Sequence, residues 1–381
     1  MTTLLDNRPR VRPDLLFSRE LSRGPERVYL VKVRGGKAFE VAAKEHFLMR
    51  RLDGQRSLAE IGEEYAARFG RRLGPAQWSQ LLGLLHHRGL LHDRGPLDPG
   101  AATGTAASTS ALRRAAAALG WLFTVPAGAA IGVGLLAMYG YLAAVSPGLW
   151  RAAAPAFVDW RSLVGLVAVT YVSAVLHELA HGLTAADAGC RAIRINLLAL
   201  SCRVDDYLYL PSRARQIAIA AAGAVANSLF LVPFVVACQV SPAGSGAHRF
   251  AAAAVVVGAV QSLVNLVPVP PLDGYKILSH LLGAVDLAAE SRRYVWSWLS
   301  RRGAGYPRRA RLVLGLYGTA WLVGAGAVMA AVAFAAGLPL RPLLGDGAFA
   351  VSALVVSLTV AGWAAGRSRL TARTRSNRQP H

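Results

Sequence analysis

"YVSAVLHELAHGLTA", residues Tyr171 to Ala185, decides how the chain is interpreted, because it places two histidines and a glutamate inside an apolar run. The run is long enough to cross a membrane as a helix. Ionisable side chains in hydrocarbon cost several kcal/mol unless other protein groups compensate them. We therefore expect His177, Glu178 and His181 to have partners elsewhere in the chain.

The spacing of the two histidines indicates a metal site. On a helix, His177 and His181 lie one turn apart on the same face. Two neutral imidazoles in this arrangement can bind one Zn²⁺, and Glu178 is then placed to act as a general base in a hydrolysis. The alternative is a chance H-E-x-x-H, or polar residues packed against partners. A membrane span tolerates such a chance pair poorly, which favours the metal.

A catalytic zinc usually has three protein ligands and an open fourth position. "NLVPVPPLDG", Asn265 to Gly274, ends a later apolar run that crosses the membrane in the same direction as the run with the two histidines. Asp273 therefore reaches about the same membrane depth as those histidines. Its prolines cannot continue a helix, and non-helical backbone at this depth must be covered by protein or line a wet cavity. Asp273 is the first candidate for the third ligand and His280 a weaker one. The alternative for Asp273 is a plain helix-ending turn.

Composition indicates a membrane protein that carries a soluble part. Of the 381 residues, 54% are hydrophobic and only 17% are charged. The net charge of +21 comes from arginines beside apolar runs, which favours contact with anionic lipid over nucleic acid. The first residues lack the apolar core of a secretory signal, so we expect the N-terminus to stay in the cytoplasm.

Six apolar runs predict six membrane spans, near 116–145, 162–184, 216–239, 250–272, 312–336 and 347–366. Basic residues are concentrated in the C-terminal tail and in two loops, one of which includes Lys276. The three loops on the opposite side carry only Arg151, Arg161, Arg249 and Arg341. The positive-inside rule therefore places both termini in the cytoplasm.

The soluble part precedes the spans. "VYLVKVRGGKAFEV" predicts two strands joined at Gly35-Gly36, and three amphipathic helices follow, which is typical of a winged-helix-like α+β domain. The fold class predicted is thus a multi-pass α-helical membrane protein with an N-terminal α+β cytoplasmic domain. The predicted parts are an N-terminal segment 1–27, the α+β domain 28–94, a flexible linker 95–113, a membrane core 114–300, two additional spans 301–366 and a basic cytoplasmic tail 367–381.

"HELAHG" followed by "NLVPVPPLDG" resembles the site-2 protease family of intramembrane zinc metalloproteases, whose motifs are H-E-x-x-H and N-x-x-P-x-P-x-L-D-G. The resemblance covers about 114–300. It implies that this region is the catalytic core, with one Zn²⁺ held by His177, His181 and Asp273. It also implies that Glu178 is catalytic.

Two further segments gain a meaning from this resemblance. The family's G-P-x-x-N appears as "GAVAN", with Ala224 in place of proline, which implies that Asn227 helps to hold substrate or the oxyanion. An amide that binds a neighbouring helix is the alternative. "RINLLALSCRV", Arg194 to Val204, could supply an edge strand for an extended substrate, as site-2-like proteases do, or could be an interfacial loop.

"FLMRRLDGQRSLAEIGEEYAARFG", followed by "LLGLLHHRGLL", resembles the PqqD-like peptide-recognition domains of modified-peptide biosynthesis. These domains bind a leader peptide as an added strand, so residues 28–94 are expected to bind a leader peptide and no nucleic acid. The tandem arrangement resembles peptide zinc metalloproteases of bacterial peptide gene clusters. It implies a zinc metalloendopeptidase in the bacterial cytoplasmic membrane that removes the leader of a ribosomally made peptide.

Two other functions fit the same residues. One is a signalling protease that cuts a single-span membrane protein and does not depend on residues 28–93. The other is a peptide-binding membrane receptor or immunity component, which keeps a structural zinc and has no catalytic activity.

Overall fold

The computed structural model describes residues 4–92, 106–299, 306–337, 341–345, 347–355 and 357–358. The chain forms two compact units, Met1–Asp286 and Leu287–His381. The strands are β1 (Leu15–Phe17), β2 (Leu21–Arg23), β3 (Glu26–Val33), β4 (Ala38–Ala42), β5 (Ile193–Asn196) and β6 (Ser201–Val204). The helices of the first unit are α1 (Ala43–Met49), α2 (Leu58–Phe69), α3 (Pro75–His87), α4 (Ala106–Ala118), α5 (Val125–Ala153), α6 (Trp160–Asp187), α7 (Arg213–Val240), α8 (Gly246–Asn265) and α9 (Asp273–Leu282). The second unit has α10 (Leu287–Leu299), α11 (Arg308–Gly337) and α12 (Arg341–Leu344).

The N-terminal module is a small antiparallel sheet followed by three helices. β3 and β4 form the predicted hairpin, with Gly35 at φ +76° in the turn. The other edge of β3 pairs with β1 and β2, which lie inside the segment 1–27 that was predicted to precede the domain. The module therefore begins before residue 28. Each of these strands has three residues, which is too short for an alternating pattern to be recognised.

The three amphipathic helices predicted after the hairpin are present as α1, α2 and α3. The Ser57 hydroxyl accepts the Glu60 N–H, and the Glu60 carboxylate accepts the Ser57 N–H, which forms a capping box at the start of α2. Pro75 occupies the first turn of α3. The module has its own hydrophobic core, whose fully buried side chains include Leu52, Leu58, Ile61, Trp78, Leu85 and Leu90.

Five helices are long and apolar enough to cross a membrane: Val125–Phe157, Trp160–Asp187, Arg213–Val240, Gly246–Asn265 and Arg308–Phe334. This is the pattern of a multi-pass helical membrane protein. Of the sixth predicted span, 347–366, residues 347–355 and 357–358 are described and the others are not, and the tail 367–381 lies wholly outside the described residues.

Three further predicted boundaries differ from the structure. The first span begins at Val125 and not near 116, because the alanine-rich α4 is a separate helix that ends before Gly120. Residues 106–113 of the predicted linker are helical in the structure, as the high helix propensity of alanine favours. Residues 95–105 lie outside the described part. The predicted core also extended to residue 300, whereas α10 belongs to the second unit.

Within the first unit, the module is hydrogen-bonded to the membrane core. The Ser22 N–H on β2 donates to the Gly283 carbonyl (2.7 Å), and the Val285 N–H donates to the Ser22 carbonyl (2.9 Å). Lys32 Nζ on β3 donates to the Asp205 carbonyl (3.2 Å) just after β6. The segment after α9 thus covers the outer edge of β2. The outer edge of β4 pairs with no strand among the described residues.

Candidate metal centre

Two helices supply the side chains of the site. α6 is capped at its start by Asp159, whose carboxylate accepts the Ser162 N–H, and it carries His177 and His181 in its second half. α9 begins at Asp273, after the non-helical stretch that the prolines of "PVPPLDG" impose. α7 packs against both α6 and α9 and so holds the two ligand-bearing helices together.

The structure brings the three predicted ligands together. His177 Nε2 and His181 Nε2 lie 3.1 Å apart, and each is 3.0 Å from Asp273 Oδ2. All three residues are buried, and their donor atoms lie within 4.8 Å of one another. This group could hold a metal ion.

The hydrogen bond of His181 Nδ1 indicates that a cation fits between the two Nε2 atoms and Asp273 Oδ2. His181 Nδ1 lies 2.6 Å from the Ile219 carbonyl of α7, so Nδ1 carries the proton and donates it. In the neutral ring, Nε2 then presents a lone pair to Asp273 Oδ2 and to the second imidazole. Such electron-rich atoms repel at 3 Å unless a proton or a metal cation lies among them. A backbone carbonyl that orients the imidazole in this way is the usual outer partner of a metal-binding histidine.

Asp273 is held as a carboxylate. Although the Asp273 side chain is buried, the ammonium group of Lys276 beside it favours the charged form. Lys276 Nζ donates to Asp273 Oδ1 at 2.7 Å. Two imidazole nitrogens and one carboxylate oxygen form a donor set that suits a divalent first-row metal.

Two glycines leave room for close contacts beside the ligands. A Cβ at Gly223 on α7 would lie 2.4 to 2.6 Å from ring atoms of His177. A Cβ at Gly274, the residue after the third ligand, would lie 2.0 Å from the Leu266 carbonyl oxygen. Both distances are too short for any side chain. Glycine is therefore required at Gly223 for His177, and at Gly274 for the start of α9, to lie where they do.

A cavity of about 470 Å³ opens beside the three ligands. Glu178 lies on its wall, half-buried, and makes no hydrogen bond or ion pair with any residue that the structure describes. The segment Leu200 to Val204, which includes β6, forms another part of the wall. Of the two interpretations of this region, the strand is the one observed. β6 pairs with β5, and its second edge has no strand partner in the described part of the chain.

Asn227 does not line this cavity. It is 1% exposed, and its Oδ1 accepts a hydrogen bond from Ser173 Oγ on α6 (3.1 Å). This contact is the helix-binding alternative, and a catalytic role for Asn227 stays a prediction.

His280, the weaker candidate for the third ligand, is not part of the group. It is buried on α9 against Tyr207, with the two rings edge to face. Burial, together with the charges of Arg19 and Lys276, lowers the pKa of His280 to about 4. The imidazole is therefore neutral over the physiological range.

The partners of the ligands are not evident from the motifs. Lys276 contributes to the predicted loop charge, and its position three residues after Asp273 is the one signal that would place the two on one face of a helix. No local signal identifies the Ile219 carbonyl or the contact at Gly223, since both arise where α7 crosses α6.

Comparison of the chain with protein-family models, with curated proteins and with solved structures gives no match.

We expect replacement of the third ligand to remove the metal. Detergent-purified wild-type protein and the Glu178→Gln variant should each hold about one metal ion per chain, and Asp273→Ala much less, because two imidazoles alone bind weakly. Elemental analysis after metal addition measures this. Equal metal content in the wild type and in Asp273→Ala would contradict the three-ligand site.

The close approach at Gly223 gives a second prediction. Gly223→Ala should lower metal affinity about 10- to 100-fold, the effect typical of disturbing a residue that supports a ligand. Gly134→Ala is the matched control, because a Cβ there meets no atom within 4 Å. Titration of both proteins with cobalt measures the affinities. Similar affinities for the two variants would show that His177 can shift without cost.

Proposed function

We propose that the chain is an intramembrane zinc metalloprotease that hydrolyses peptide bonds. The observation that carries this proposal is the buried group of His177, His181 and Asp273 beside a cavity that Glu178 also lines. Two imidazoles and a carboxylate leave one coordination position for the reaction, as in catalytic zinc sites. A purely structural zinc normally has four protein ligands, and only three are grouped here among the described residues.

Each residue then has a definite task. Zinc, when bound, would supply a Lewis acid that acidifies water and polarises a peptide carbonyl. Glu178 accepts the proton of the attacking water and later donates a proton to the leaving amine. Its lack of partners among the described residues keeps the carboxylate available for both transfers. The Ile219 carbonyl keeps His181 Nε2 directed at the centre.

The hairpin β5–β6 supports an extended substrate. A helical peptide hides its carbonyls in hydrogen bonds, so a substrate must be unfolded at the bond that is cut. β6 lies on the cavity wall with one edge unpaired in the described structure, and an extended peptide can add to such an edge.

The N-terminal module supports a peptide substrate with a leader. Its β2 edge is covered by Gly283 and Val285, whereas the outer edge of β4 pairs with no strand among the described residues and can accept an added strand. Among the described residues of the module, Leu84 on α3 is the only large hydrophobic side chain that is exposed. We therefore propose that the module binds the leader of a ribosomally made peptide, which the protease matures by leader removal. The arginine bias supports a location in a bacterial cytoplasmic membrane with both termini inside.

Loss of the proposed base should separate catalysis from metal binding. Glu178→Gln should cut fluorescein-labelled casein, an unfolded general substrate, about 10²- to 10⁴-fold more slowly than wild type. Glu63→Gln, at an exposed position of the module, is the matched control and should behave as wild type. Equal rates for Glu178→Gln and wild type would refute the proposal. If wild type and Glu178→Gln both bind metal and neither cleaves casein, the result would favour the peptide-binding membrane receptor.

We expect the N-terminal module to affect cleavage only of substrates that carry a leader. For a leader-bearing peptide that the protein cleaves, Leu84→Asp should raise the concentration for half-maximal cleavage at least about fivefold, the usual effect of losing an apolar anchor. Turnover at saturation and casein cleavage should not change. Ser79→Asp makes the same charge change elsewhere on α3 and serves as control. An unaffected Leu84→Asp variant would favour the signalling protease, which does not use the module.

A further inference from the structure

The two carboxylate oxygens of Asp273 have different partners. Oδ2 lies 3.0 Å from both His177 Nε2 and His181 Nε2, whereas Oδ1 accepts a hydrogen bond from Lys276 Nζ at 2.7 Å. The Asp273 side chain is only 4% exposed, and that of Lys276 is 43% exposed. The orientation of a buried carboxylate is thus fixed from both sides.

Neither helix stability nor membrane orientation explains this lysine. Lys276 lies in the first turn of α9, where the positive end of the helix dipole disfavours a cation. A lysine that served only to mark the cytoplasmic side would extend its amine into water. Here the amine turns back by one helical turn and meets the buried carboxylate.

The choice of lysine is unusual for this chain. Only four of its 42 basic residues are lysines, and Lys276 is the only one after Lys44. Lysine and arginine bind carboxylates differently. The planar arginine fork donates to both oxygens at once, whereas the ammonium group acts as a compact point charge. A lysine can therefore hold Oδ1 and leave Oδ2 to face the two imidazoles.

We propose that Lys276 is a positioning residue, which holds Asp273 Oδ1 so that the carboxylate offers only Oδ2 to the metal. A free carboxylate can bind a metal through one oxygen or through both. Two-oxygen binding would fill the position that a catalytic zinc site keeps open for its reactants. The inference rests on the metal centre of the proposed function and not on peptide hydrolysis, so the two can fail separately.

The test uses cobalt(II) in the full-length chain on a Glu178→Gln background. Four-coordinate cobalt(II) absorbs visible light more strongly than five-coordinate cobalt(II). Lys276→Met should still bind about one cobalt per chain, but its visible band should weaken because Oδ1 joins the metal. Lys276→Arg should bind cobalt at least tenfold more weakly, because its fork competes for Oδ2. Lys37→Met and Lys37→Arg, at an exposed turn of the module, are the matched controls and should match the parent protein.

Activity adds a second measurement with Glu178 restored. Lys276→Met should lower the turnover of casein at saturation and change the half-saturating concentration little, because the open position and not substrate binding is affected. A cobalt band of parent strength in Lys276→Met would overturn the proposal. If Lys276→Met does not fold, the cobalt affinity of Lys276→Arg tests the proposal instead. An affinity equal to that of the parent protein would show that any cation serves at this position and would overturn the proposal.

Discussion

The structure depends on the meeting of three electron-rich atoms at one buried point. His177 Nε2, His181 Nε2 and Asp273 Oδ2 lie about 3 Å from one another. Such a group is costly to bury unless a cation compensates it and hydrogen bonds satisfy the remaining polar atoms. Two of the three remaining polar atoms meet the second requirement: His181 Nδ1 donates to the Ile219 carbonyl, and Asp273 Oδ1 accepts from Lys276 Nζ. The third, His177 Nδ1, is buried without a partner among the described residues. The compensation that the apolar run required is thus located mainly on α7 and α9.

Sequence alone predicts the local half of this arrangement. The two histidines are four residues apart, so the helix itself places them on one face, and no tertiary information is needed. Asp273 lies 92 residues from His181, and only membrane depth and the second motif connected them. The contact of Gly223 with His177 depends on how closely α7 crosses α6, and a periodic apolar pattern contains no such distance. The sequence therefore identified the ligands better than the groups that orient them.

The same distinction applies to the fold. α2 and α3 were predictable because each has a strong apolar stripe and a defined start, at Ser57 and Pro75. β1 and β2 were not, since strands of three residues gain their stability from pairing with β3 and not from their own composition. The small residues around α4 predict a linker, whereas the helix propensity of its alanines favours the helix that the structure contains.

α9 connects the candidate metal centre to the N-terminal module. It begins with Asp273, and the segment after its last turn pairs with Ser22 of the module. Ten residues of helix span about 15 Å, so the ligand and the module are joined by a short rigid element. For the proposed function, this means that the module need not swing on the linker 95–113 to deliver a peptide. The local concentration of the cleavage site is then governed by the length of substrate between the bound leader and the scissile bond, because that stretch is the flexible tether.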